Sequence, residues 1–152
     1  MNRFIFLLSV VFLLCTSCNK EKDPSIDDII LSPEFQMTID GKPWKAVLYF
    51  YKTETGYPVI FGSDNAWTLH WTFEEEIKVK TYNIGELENE LISSFYLYKE
   101  GKNYTLDIIS GTLNIEKFDN VNKVLTGKFG FTAKLDGKNV NVTNGSFVIK
   151  NF

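Results

Sequence analysis

Three groups of side chains in this 152-residue sequence have types and spacings that can do chemistry: Cys15 with Cys18, the single histidine His70, and the run Glu74-Glu75-Glu76. Thiols in C-x-x-C spacing form a redox couple at a helix N-terminus or half of a zinc site, and the zinc site needs two further ligands. Those ligands are missing from the sequence. The chain has no other cysteine and no other histidine, so multi-histidine metal centres are excluded, and neither a metal nor a cofactor is expected. His70 lies in T-L-H-W-T, on the strand face opposite Leu69 and Trp71 and between Thr68 and Thr72. It reads as an exposed histidine on a polar face. A Ser-His-Asp triad built on it would lack any G-x-S-x-G elbow. The three glutamates end the same strand, and a calcium site requires about six oxygens at set spacing, so the run reads as a solvated acidic turn. Paired carboxylates of a glycosidase are spatial rather than sequential neighbours, which keeps a carboxylate-dependent hydrolase as the third functional reading. No catalytic residue is assigned.

The setting of the two cysteines gives them a different role. Residues 4–14, F-I-F-L-L-S-V-V-F-L-L, follow the positive Arg3 and are apolar except for one serine. At about 1.5 Å rise per residue such a segment is too short to cross a hydrocarbon core about 30 Å thick. It reads as the h-region of an export signal covering residues 1–17. Cys15-Thr16-Ser17-Cys18 resembles the lipobox of bacterial lipoproteins, with Cys15 where leucine is usual. The resemblance implies diacylglycerol on the Cys18 sulfur, cleavage before Cys18, and acylation of the new amino group. Two or three acyl chains, each buried at about 0.8 kcal/mol per CH₂, hold a protein at a membrane where one is marginal. Cys15 leaves with the signal, so the mature chain is expected to carry neither a free thiol nor a disulfide.

Residues 18–34 read as the lipidated cysteine and a tether rich in charge, with Pro24 and Pro33 and no aromatic residue. Ser25 can cap one helical turn with Ile26, Ile29 and Ile30 on one side, a turn too short to stand alone. N-K-E-K-D after the cysteine resembles the export signal of surface lipoproteins in Bacteroidota. The expected location is the cell envelope, as an outer-membrane lipoprotein, with surface exposure favoured over the periplasmic leaflet. From Cys18 onward the formal charge is −4, fifteen lysines against nineteen carboxylates, because the one arginine belongs to the signal. An acidic chain without a guanidinium fork is a poor partner for nucleic acid.

Residues 35–152 predict a single all-β domain. In V-L-T-G-K-F-G-F-T-A-K, residues 124–134, Leu125, Phe129, Phe131 and Ala133 fall on one face, with Thr126, Lys128, Thr132 and Lys134 on the other. The same period of two relates Phe35, Met37 and Ile39; Trp67, Leu69, Trp71 and Phe73; and the pairs Ile77/Val79, Leu113/Ile115 and Phe147/Ile149. Asp40-Gly41, Thr55-Gly56, Asp64-Asn65, Glu100-Gly101, Asp136-Gly137 and Asn144-Gly145 punctuate the strands as turns. The pattern predicts nine to eleven short strands in an antiparallel β-sandwich, or alternatively a closed or partly open β-barrel. One short helix is expected at residues 86–92, with Leu87 and Leu91 on one side.

The segments FQMTIDGKPWKA (35–46), SGTLNIEKFD (110–119), VLTGKFGFTA (124–133) and VTNGSFVI (142–149) resemble a group of uncharacterised Bacteroidota lipoproteins. The matched positions are turn glycines and alternating apolar residues. The resemblance implies the fold and transfers no site.

Binding has the better support among functions. In W-K-A-V-L-Y-F-Y, residues 44–51, Trp44, Ala46, Leu48 and Phe50 point one way and Val47, Tyr49 and Tyr51 the other. Either this strand is covered on both sides, or Tyr49 and Tyr51 form an outer contact platform to which Tyr82, Tyr96 and Tyr98 add. The favoured reading is a lipid-anchored, non-catalytic envelope module binding a glycan, a peptide or an envelope protein. An accessory or inhibitor-like subunit that docks on one protein is the alternative.

Overall fold

Among the described residues the chain forms ten antiparallel strands: β1 (Glu34–Ile39), β2 (Lys42–Lys45), β3 (Leu48–Glu54), β4 (Tyr57–Ser63), β5 (Trp67–Phe73), β6 (Thr81–Ile84), β7 (Leu91–Lys99), β8 (Lys102–Asp119), β9 (Val124–Leu135) and β10 (Lys138–Lys150). This computed structural model describes residues 34–54, 56–85 and 90–152. The export segment, Cys15, Cys18 and the expected turn at residues 25–30 lie outside the described residues, as do residues 86–89 of the expected helix. Leu91 and Ile92, its last two residues, begin β7 instead.

Strand order is β2-β1-β10-β9-β8-β7-β5-β4-β3, with β6 added to β8. The result is one antiparallel sheet curled into a half-barrel, so the two layers of a sandwich are here continuous. β8 makes them so. Its first residues pair with β7, and the rest pair with β9, from Asp107↔Lys134 to Asp119↔Val124. Irregularities between Ile108 and Ser110 and between Ile115 and Lys117 let so long a strand bend.

The inner face is largely apolar, and it also carries Ser93, opposite Trp71, whose buried hydroxyl has no hydrogen-bond partner among the described residues. Phe35, fully buried, lies 5.9 Å from Trp71 and 5.6 Å from both Phe129 and Phe147, ring centre to ring centre, and meets Trp44 edge-on at 6.1 Å. Leu125, Phe129, Phe131 and Ala133 all face inward, as their spacing requires. The burial of Trp44 and Trp71 leaves each indole N–H with no hydrogen-bond acceptor among the described residues. An unmet donor of that kind costs about 1–3 kcal/mol, which the surrounding aromatic packing must offset.

Asp40-Gly41, Glu100-Gly101 and Asp136-Gly137 each place two successive residues at positive φ, as tight hairpins demand. The Asp64 carboxylate accepts the Ala66 and Trp67 amides at 2.7 and 2.6 Å, closing the β4–β5 turn. Asn144-Gly145 is different. It is no turn but a bulge inside β10, between Val142 and Gly145. Gly145 is required there because a Cβ would stand 2.4 Å from the Phe129 ring. Ile77 and Val79 do not alternate in a strand either: Ile77 is buried and Val79 is 61% exposed, in the connection before β6.

Candidate functional site

Residues 44–51 are not one strand. β2 pairs with β1, β3 pairs with β4, and the chain passes between them at Ala46 and Val47. Ala46 still bonds to β1, its N–H donating to the Phe35 carbonyl at 2.8 Å, while Val47 already bonds to β4, donating to the Ser63 carbonyl at 2.8 Å. Crossing from one end of the sheet to the other reverses which parity faces inward. Trp44 and Ala46 are buried, yet Leu48 is 57% exposed.

The reversal relocates the tyrosines. Tyr49 and Tyr51 share a face, but it is the inner one, where both are half-buried and packed against the core. Tyr51 meets Phe152 edge-on at 4.5 Å and Phe118 at 5.6 Å. Both rings line a groove of about 460 Å³ between β3 and the chain end at Ile149, Lys150, Asn151 and Phe152. They are therefore not an outer platform. Tyr82 is buried, its hydroxyl accepting the Lys78 N–H at 2.9 Å, and it takes no part in an outer face. Tyr96 and Tyr98 share a parity with Ile92 that points away from the inward Leu91 and Phe95.

The outer aromatic surface has other members, Phe50 and Phe61. Register carries one row across four strands: Phe50 opposite Phe61, Phe61 opposite His70, His70 opposite Ser94. The Phe50 and Phe61 rings are nearly parallel, at 9°, with centres 4.8 Å apart. That separation matches the spacing of neighbouring strands and is too short for rings lying side by side, so the two stand on the sheet face to face. The Lys52 ammonium lies 4.8 Å from the Phe50 ring centre, and His70 meets Phe61 edge-on at 6.4 Å. Around the row stand Leu48, Tyr57, Ile92 and Tyr98, between 48% and 57% exposed.

His70 lies between Thr68 and Thr72 on this face, but it is half-buried beside Phe61 where an exposed histidine on a polar face was expected, and its Nε2 is 3.2 Å from the Thr72 hydroxyl. Glu74, Glu75 and Glu76 are exposed, and Glu75 is held by Lys78 at 2.9 Å. That hydrogen bond and charge hold the Glu75 carboxyl below its ordinary range. Among the described residues no group of three or more His, Cys, Asp or Glu side chains is placed to hold a metal ion.

Sequence reasoning missed Phe50 because it carried one parity through residues 44–51, and missed Phe61 because P-V-I-F, residues 58–61, has no polar residue to show which face it takes. The aromatic run itself was visible; the crossing at Ala46 and Val47 was not. Comparison with family models matches residues 31–149 to DUF6252, a domain of unknown function, and the chain belongs to that family. No curated protein and no solved structure matches it.

Proposed function

We propose that the chain is a lipid-anchored, non-catalytic module of the outer membrane, held there through acylated Cys18, whose task is to dock a protein of the cell envelope. The observation that carries the docking is the apolar row Phe50–Phe61 on the outer face of β3, β4 and β5, with exposed Leu48, Tyr57 and Ile92 beside it. Aromatic anchors inside a polar rim are the composition of a protein interface. A sugar stacking on aromatic faces is disfavoured at this row. One face of Phe50 is turned to Phe61 and Lys52 lies over its ring, while Phe61 stands between Phe50 and His70. What remains for a ligand is ring edges and aliphatic surface. The anchor rests on the apolar segment and the C-T-S-C sequence that follows it.

Radiolabelled palmitate and co-purification from solubilised membranes test both halves of the proposal. Cys18→Ser should abolish labelling and leave an unprocessed precursor, whereas Cys15→Ser should still be labelled. Phe50→Ser with Phe61→Ser should keep the label and lose the co-purifying protein. Labelling that depends on Cys15, or a partner retained by the double variant, would refute the corresponding half.

A further inference from the structure

The opposite part of the sheet carries a second concave feature, a trough of about 430 Å³ on the outer face of β8, β9 and β10. Its polar lining is Ser110, Thr132, Asn141, Thr143 and Asn144, all hydroxyls and amides. No lining side chain is charged. The trough follows from backbone irregularity. β8 shifts register between Ile108 and Ser110, β10 shifts between Val142 and Gly145, and β9 runs between them with Gly130 in the middle. The bulge lifts Thr143 and Asn144 on one side of Gly130, and Asn144 takes a positive φ to do so. Thr132 and Asn141 are tied to each other, the hydroxyl donating to the side-chain carbonyl at 3.3 Å.

Gly130 is the least tightly packed of the glycines with ordinary φ. At Gly62, Gly111, Gly127 and Gly145 a Cβ would come within 3.0 Å of neighbouring atoms, and the five remaining glycines other than Gly130 have positive φ. At Gly130 φ is ordinary and a Cβ would meet only the Val142 carbonyl, at 3.3 Å. Glycine in a strand interior costs stability and commonly marks close approach of a ligand to backbone. Here its missing side chain is the floor of the trough.

We infer that this trough is a binding site for a neutral saccharide, with Gly130 kept small so that a sugar ring can reach the peptide floor. Hydroxyls and amides donate and accept, as sugar hydroxyls do, and the lining supplies neither a cation for an anionic ligand nor a carboxylate for a metal. The site does not depend on the aromatic row or on what docks there.

The test uses the full-length protein, solubilised in detergent, on an array of neutral oligosaccharides: glucans, mannans, galactans and N-acetylhexosamine oligomers, with uronic and sulfated glycans alongside. Saturable binding to a neutral member is expected. Gly130→Ala should weaken it at least tenfold without lowering the melting temperature, the Val142 carbonyl giving way by the few tenths of an ångström that the added Cβ needs. Thr143→Val, which removes a hydroxyl and keeps the volume, should weaken it roughly tenfold, the equivalent of one hydrogen bond. Phe50→Ser with Phe61→Ser should leave it unchanged. Absence of binding to every neutral member, preference for the anionic glycans, undiminished binding by Gly130→Ala, or a large fall in its melting temperature would each overturn the inference.

Discussion

The outer face of β8, β9, β10 and β1 and the outer face of β3, β4, β5 and β7 belong to one sheet and back onto one core, yet they are chemically unlike. The first is held by polar cross-strand pairs: Lys128 with Glu116 at 2.6 Å, Thr132 with Asn141 at 3.3 Å, Gln36 with Ser146 at 3.5 Å. The second has one such pair, Ser63 with Thr68 at 2.8 Å, and beyond it carries Phe50, Phe61, Tyr57 and Ile92. A sheet needs only one apolar face to fold. The second half therefore has apolar surface that folding does not require, and large apolar patches of that kind mark contact sites. On the two proposals made above, the two faces of one module would take two ligand chemistries.

The largest expected effect tests whether the two halves share a core. Phe129 belongs to β9 but touches Phe35, Trp71 and Phe147 from other strands. Phe129→Ala should cost about 3–5 kcal/mol and lower one cooperative thermal transition. Two separate transitions in the variant would mean that the halves fold independently and the comparison is between domains.

The next effect sharpens the contrast between neighbours on β3. Tyr49→Ala with Tyr51→Ala removes rings packed on the core and should cost about 2 kcal/mol or more in chemical denaturation. Phe50→Ser with Phe61→Ser removes a cross-strand pair on the outside and should cost about 1 kcal/mol. Reversed costs would mean that the parity of β3 is assigned the wrong way round.

The smallest effect concerns the polar half. At the β8–β9 turn the Asp119 carboxylate accepts the Asn122 backbone N–H at 2.9 Å and its side-chain amide at 2.7 Å, with Lys117 at 3.3 Å. These hold its pKa down to about 2, from 3.8. A depressed carboxylate stabilises the fold above its unfolded pKa and loses that contribution as pH falls through the folded value. Carbon-detected NMR titration of Asp119 should therefore give a midpoint near 2, and the turn amides should shift with it. A midpoint near 4 would show that the turn does not hold the carboxylate.

Much of the strand pattern was legible because strict alternation with one polar face leaves a single choice of phase, as in residues 124–134. Where both faces are apolar the phase is hidden. Residues 44–51 carry no charged residue after Lys45 to reveal that the chain changes strands at Ala46 and Val47, so Tyr49 and Tyr51 face inward where an outer face was expected. Asn144-Gly145 has the chemistry of a turn, and only the pairing of Val142 with Phe131 and of Gly145 with Phe129 on either side of it makes it a bulge. The trough is illegible for the same reason: Ser110, Gly130 and Thr143 meet only through the register of three strands.

On the proposed function, the aromatic half docks a protein and the polar half does not. A photoreactive amino acid placed at Phe61, and separately at Lys128, in the full-length protein in living cells compares the two faces directly. The account predicts a discrete protein adduct from position 61, absent from position 128 and lost when Phe50→Ser is added. Equal adducts from both positions, or an adduct from 128 alone, would contradict it.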